Sequence, residues 1–268
     1  MLNFRCYPKI NVFLIVFPKP SGARLHNISS RFCLIKGNLF DEMQIKEKSG
    51  LKIEGNFPCK MEDNLIYKAL KALERALILQ GRANEAKILE NLHIFVNKKI
   101  PIFAGLGGGS SNAGKLLLEL NNEYFGLSKR EITQIASQIG SDASFFASGF
   151  MSANVSGDGS IVSEFKEDLP NIRIINSGVK CDTASIFRHF ENKKENKRKN
   201  KTEENLSAFA KRLEGMSSAQ ILRSFNRFRL NNLLQSAIEL SEELATFEAK
   251  LEKNCFFSGS GGCFFTWE

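Results

Sequence analysis

Four glycines stand within five positions, Gly105, Gly107, Gly108 and Gly109, and Ser110, Ser111 and Asn112 follow at once. Glycine loses more backbone freedom on folding than any other residue, so such a run implies that the backbone itself must reach something. Phosphate suits that chemistry. Without Cβ atoms, N–H groups can close on anionic oxygens, and Ser110, Ser111 or Asn112 can open a helix whose unpaired N–H groups carry partial positive charge. The alternative is a flexible tether, but tethers are not set between an apolar strand (Leu92–Val96) and an apolar helix (Ala113–Asn121).

Gly109, Gly114 and Lys115 match a Walker A motif up to its last position, where Leu116 replaces the hydroxyl residue that would hold Mg²⁺. No apolar strand ending in a Walker B Asp follows, so Lys115 reads as an exposed helix residue. Two other side chains could act on a transferred phosphoryl group. Asp142, after Gly140-Ser141, is either a proton acceptor or a turn cap. Lys9, at the head of Ile10–Phe17, is either a cation held at a site or a solvated strand end.

The elements that must position these residues alternate without strict order. Ile10–Phe17 is rich in β-branched and aromatic residues and reads as a buried strand, with a second around Ser30–Ile35. Asp41–Ile53 alternates apolar and charged residues around Ser49-Gly50, the pattern of a β-hairpin. Asp63-Asn64 opens a helix carrying Leu65, Ile66, Ala69, Leu70, Leu73 and Leu77, and Ser128 caps another through Gln138. Beyond Gly149 and Gly157-Asp158-Gly159 come a strand at Ile172–Ile175, a basic linker, two helices and a Phe-rich strand pair. This mixture favours an α+β fold. The glycines near 150–159 place the domain boundary between residues 1–155 and 156–268.

The 268 residues are 43% hydrophobic and 25% charged, which suits globular domains and excludes wholesale disorder. Net charge is +8, yet Asn192–Lys201 holds six Lys/Arg and one Glu, +5 in ten residues, leaving +3 for the rest. A nucleic-acid binder spreads its basic residues over a folded face, so this run reads as a solvated, flexible loop and no nucleic-acid partner is expected. Six scattered Cys without a C-x-x-C pair, and three isolated His, suggest neither a zinc site nor a disulfide framework, and free thiols fit the cytoplasm. Ile10–Pro18 is too short to span a bilayer, so no membrane partner is expected.

Read together, Pro101-Ile102-Phe103-Ala104-Gly105-Leu106-Gly107-Gly108-Gly109-Ser110-Ser111-Asn112-Ala113 resembles the ATP loop of the GHMP kinases, small-molecule kinases without a Walker A motif. Three further stretches resemble their motifs in the same order: Tyr7–Leu14, Ile139–Phe146 and Ser258–Phe265, with Glu62–Ile66 resembling the helix entry. Phe103 stands where a small residue is usual, Gly114 where Ala is common, and Ala143-Ser144 where Val-Pro is usual. Asn231-Asn232-Leu233 replaces Asn-Asp-Leu, and Leu25 replaces an aromatic. None of these removes a catalytic group.

The resemblance implies a two-domain α+β enzyme, with an N-terminal ATP-binding domain like ribosomal protein S5 domain 2 and a C-terminal ferredoxin-like α/β sandwich. It implies ATP and Mg²⁺ as cofactors, with Pro101 through Asn112 on the nucleotide and Ser110 or water helping to hold the metal. Asp142 would accept the proton of the attacked hydroxyl, and Lys9 would lie beside it and offset developing charge. Asn11, His26, Phe32 and Phe187 would hold the acceptor, a cytidine diphosphate-linked methylerythritol phosphorylated at its 2-hydroxyl on the non-mevalonate route to isoprenoids. A GHMP kinase for another alcohol, such as homoserine or a mevalonate derivative, is the nearest alternative, and His26 with Phe187 argues against it. A non-catalytic RNA-binding relative is a further one, and Lys9 with Asp142 argues against that.

Overall fold

The computed structural model describes residues 1–20, 22–23, 25–195 and 202–267. In chain order, β1 (Leu2–Cys6), β2 (Lys9–Val16), β3 (Ile28–Leu34), β4 (Asp41–Glu47) and β5 (Lys52–Gly55) precede α1 (Leu65–Leu79) and α2 (Ala83–Ala86). Then come β6 (Leu92–Asn97), α3 (Gly108–Leu120), α4 (Lys129–Ser137), α5 (Ala143–Ser148), β7 (Ser152–Gly157), β8 (Ile161–Glu164) and β9 (Ile172–Asn176). Helices α6 (Thr183–Glu195), α7 (Thr202–Glu214), α8 (Ser218–Ser224), α9 (Arg227–Leu230), α10 (Leu234–Leu240) and α11 (Glu242–Ala249) lead to β10 (Phe256–Phe257) and β11 (Cys263–Trp267).

The chain forms two compact units, Met1–Pro8 with Lys36–Ile100 and Gly107–Phe150, and Lys9–Ile35 with Pro101–Leu106 and Met151–Glu268. Neither coincides with residues 1–155 or 156–268. Strand β3 pairs with β7, Phe32 opposite Ala153, and so draws the early strands into the unit that holds the C-terminal half.

The first unit is a four-stranded sheet in the order β1-β4-β6-β5. Met43, Ile45, Leu92, Ile94 and Val96 alternate onto its buried face, where α1, α3, α4 and α5 supply Leu70, Leu73, Leu116, Leu117, Ile132 and Ala147. Strands β4 and β5 do not form the hairpin that their alternation suggests. Strand β6 lies between them, antiparallel to β4 and parallel to β5 with Ile53 opposite Ile94. The alternation is real, but α1 and α2 make the crossover that a parallel partner requires. Asn64 caps α1 through Ile66 N–H, and Ser128 with Glu131 forms a capping box on α4.

The second unit holds the antiparallel sheets β2-β3-β7-β8 and β10-β11-β9. Every residue of β2 is buried. Asn232 grips that strand from both sides, its amide donating to Val16 O at 3.0 Å and accepting from Val16 N at 2.9 Å. An Asp there could only accept. Helix α6 runs through Glu195, so residues 192–195 of the basic run are helical rather than loop. The remainder, 196–201, lies outside the described residues. Beyond the basic run five helices, α7 to α11, stand where two are expected, among the described residues. No helix there is long and apolar enough to cross a membrane.

Candidate active site

The glycine run does not wait for Ala113 to become helical. Helix α3 begins at Gly108, behind Gly107 in the left-handed conformation (φ 68°) with no side-chain cap. A helix start leaves its first N–H groups without an acceptor four residues back, so those of Gly108, Gly109 and Ser110 project beyond the helix end. Glycine and serine are poor helix formers, and the packing of Ala113, Leu116, Leu117 and Leu120 in the core offsets that cost. Ser111 and Asn112 are both buried, and Ser111 donates to Tyr7 O at 2.6 Å. Gly114 meets packing, not phosphate: a Cβ there would lie 2.6 Å from Ala143 O and from Phe146 Cβ. Lys115 pairs with Glu119 one turn on, which disposes of the Walker lysine.

Asp41, which sequence reasoning missed, anchors this end of the loop. Fully buried at the start of β4, it accepts Lys99 N at 2.6 Å and Ile100 N at 2.8 Å on one oxygen. Its other oxygen accepts Lys98 Nζ at 2.5 Å and Asn112 Nδ2 at 3.0 Å, while Asn112 Oδ1 also accepts from Lys98 at 2.8 Å. The side chain of Asn112 is thus spent on holding α3 to the residues before Pro101. Only an Asp heading an alternating strand marks this in the sequence, and its donors come from two distant segments. Asp41→Ala strands four donors, so it should cost about 3–5 kcal/mol of stability, read by denaturant unfolding. A loss below about 1 kcal/mol would mean that the cluster contributes little.

In the second unit, Lys9 is only 3% exposed, not a solvated strand end. Its N–H donates to Leu106 O at 3.0 Å. Its ammonium donates to Asn11 Oδ1 at 2.6 Å and Gly105 O at 3.2 Å and stands 4.6 Å over the Phe32 ring. Asn11 and Phe32 are also buried, so β2 and β3 bring two further sequence-derived site residues up to Lys9.

The first half of the glycine loop is locked by the second glycine turn. Gly262 N donates to Phe103 O at 3.3 Å and Cys263 N to Ala104 O at 3.2 Å. Ser258 Oγ accepts from Asn11 N and donates to Gly105 O, each at 3.4 Å. The two backbones touch: a Cβ on Gly105 (φ +76°) would come within 2.3 Å of Ser258 O, and one on Gly261 within 1.9 Å of Gly105 N. The turn therefore joins β10 to β11 and backs the loop at once. Phe103 holds φ 58° with its ring exposed, beside exposed Ile102. Burial pushes the Cys263 thiol up to about 12, so it serves as packing rather than as a nucleophile.

On the same unit, His26 is buried with Nδ1 at 2.9 Å from Phe17 O, and the half-buried Phe187 ring lies 5.5 Å from it, tilted by 46°. Leu25 is exposed. Asp142, in the first unit, occupies the N-cap position of α5, but its side chain makes no capping hydrogen bond. The turn-cap role open to it in the sequence is thus unused.

The chain is similar to a known family, to curated relatives and to solved structures. The model of the GHMP kinases N terminal domain matches residues 64–154. A 4-diphosphocytidyl-2-C-methyl-D-erythritol kinase of Helicobacter pylori (strain J99) is 35% identical over 267 residues, covering 98% of this chain and 93% of the relative. One of Sulfurimonas denitrificans is 34% identical, covering 99% and 96%. The crystal structure of a 4-(cytidine 5'-diphospho)-2C-methyl-D-erythritol kinase superposes with a TM-score of 0.72 at 24% identity, covering 99% of this chain and 90% of that one. A Streptococcus pneumoniae phosphomevalonate kinase shares the fold at a TM-score of 0.65 and 13% identity.

Proposed function

Since the chain belongs to the 4-diphosphocytidyl-2-C-methyl-D-erythritol kinase family of GHMP kinases, we propose that it transfers the γ-phosphoryl group of ATP to the 2-hydroxyl of 4-diphosphocytidyl-2-C-methyl-D-erythritol. The observation that carries this reading is the glycine loop ending in the uncapped start of α3. Backbone donors without side chains in front of them fit a polyphosphate, and the axial dipole of a 13-residue helix adds to the attraction.

Bound ATP supplies the phosphoryl group, and Mg²⁺ supplies positive charge to its oxygens. Among the described residues no group of three or more His, Cys, Asp or Glu could hold a metal. The ion would therefore arrive with the nucleotide, and Ser110 or water would complete its shell. Gly108, Gly109 and Ser110 bind phosphate oxygens through their N–H groups. Asp142 accepts the proton of the 2-hydroxyl as its oxygen bonds to phosphorus and the bond to the leaving ADP oxygen breaks. Lys9, held by Asn11 Oδ1 and Gly105 O, offsets the negative charge that builds on the transferred group.

Asn11, His26, Phe32 and Phe187 are assigned to the acceptor. Phe32 acts from beneath Lys9, while Phe187 offers a ring face to cytosine and His26, beside it, a hydrogen bond to the cytosine edge. Phe187→Ala removes one stacking surface, worth about 1–3 kcal/mol, so acceptor KM should rise about 10-fold with ATP KM unchanged. Equal acceptor KM in mutant and parent would show Phe187 to be packing only. The cytoplasm is the compartment this reading assigns, supported by six free cysteines.

The test is ADP release with Mg²⁺-ATP and a panel of acceptors. The cytidine diphosphate-linked methylerythritol should stimulate release, and homoserine and mevalonate should not. Stimulation by either of those instead would overturn the assignment.

A further inference from the structure

Strand β2 carries an irregularity where it matters. Its pairing with β3 runs Asn11 opposite Phe32 and then Phe13 opposite Arg31, so Val12 is an extra residue and the register shifts beside Lys9. The carbonyl of Phe13 accepts the hydroxyl of Ser30 at 2.5 Å. Ser30 has one hydroxyl hydrogen, and this bond uses it. Towards Asn11 the same oxygen can therefore only accept, and it takes Asn11 Nδ2 at 2.9 Å.

That fixes which way the amide faces. With Nδ2 committed to Ser30, Oδ1 points at Lys9 Nζ, 2.6 Å away. The reversed amide would set two N–H donors against an ammonium and an oxygen against a hydroxyl whose hydrogen lies elsewhere. The two ends of the chain of bonds agree on one orientation. Ser30 is fully buried and Asn11 and Lys9 nearly so, which gives solvent little access to replace a lost partner. A strand position opposite Leu14 and Val155 needs no hydroxyl for pairing, and alanine or valine would serve the sheet.

We infer that Ser30 is a positioning residue for the phosphoryl transfer, acting on Lys9 through the amide of Asn11. The bulge in β2 presents the Phe13 carbonyl, Ser30 reads it, Asn11 is oriented by Ser30, and Lys9 is held by Asn11. The inference rests on the reading of Lys9 as the cation that offsets charge in the reaction.

A double-mutant cycle tests it, with Ser30→Ala, Lys9→Ala and the pair assayed with Mg²⁺-ATP and the cytidine diphosphate-linked methylerythritol. Ser30→Cys, near in volume but weak in hydrogen bonding, is carried alongside in case alanine leaves too large a gap. Either Ser30 variant should lower kcat about 10-fold, the scale of one lost buried hydrogen bond, and move ATP KM less than about 2-fold. In the Lys9→Ala background the same Ser30 change should lower kcat no further, because the cation it positions is gone, and any loss of the hold of Asn11 on the acceptor would show in acceptor KM instead. Undiminished kcat in both Ser30 variants overturns the inference, as does a Ser30 effect that multiplies with that of Lys9→Ala. Undiminished kcat in Lys9→Ala alone overturns the reading of Lys9, and the inference with it.

Discussion

Asp142→Asn is expected to lower kcat by at least about 10²-fold, the usual scale for losing a positioned general base. Asparagine keeps the shape of the side chain but loses its negative charge and its capacity to take a proton. Asp142 makes no side-chain capping bond to α5, so the change leaves that helix start as it is. Nucleotide affinity should hold as well, since Gly108, Gly109 and Ser110 bind through backbone groups that the change leaves alone. Thermal melting and ATP titration alongside turnover separate these effects. Full turnover in a folded Asp142→Asn enzyme would remove Asp142 from the proton transfer.

Gly261→Ala should be nearly as damaging, for a reason that involves no chemistry at position 261 itself. A Cβ there would lie 1.9 Å from Gly105 N, 2.1 Å from Ala104 C and 2.5 Å from Gly105 Cα. All three are backbone atoms, so no side chain can swing aside, and the Phe103–Gly105 segment must shift. A displacement near an ångström is expected to cost about 10²-fold in kcat/KM for ATP. Parental kcat/KM in Gly261→Ala would show that the two glycine turns move independently.

The candidate site residues stand out in the sequence because their types are unusual where they stand. Four crowded glycines have few explanations, and β2 announces itself through β-branched and aromatic residues. What the sequence withheld was partnership. The alternation in β4 and β5 is plain, yet nothing local says that β6 will lie between them. Asp41 is an ordinary acidic residue until Lys98, Lys99, Ile100 and Asn112 arrive from other parts of the chain. Lys9 invites reading as a solvated end because lysine is seldom buried, and the acceptors Asn11 Oδ1 and Gly105 O, with the Phe32 ring beneath, offset the cost of its burial. Propensity opens α3 only after the glycines because it disfavours Gly and Ser, whereas packing of the following turns starts the helix at Gly108. Beyond Thr183 the short helices are delimited by single capping residues, Ser217, Asn226 and Ser241, which resemble ordinary loop residues until their side chains accept backbone N–H groups.

Phosphorus NMR of one reaction mixture tests the central claim most directly. Enzyme, Mg²⁺-ATP and 4-diphosphocytidyl-2-C-methyl-D-erythritol should yield ADP and, in equal amount, a new phosphomonoester signal coupled to no proton, because the 2-hydroxyl sits on a carbon that bears the methyl branch and no hydrogen. The diphosphate signals of the acceptor should persist. A phosphomonoester coupled to a carbon-bound proton, or ADP formed with inorganic phosphate alone, would contradict the account.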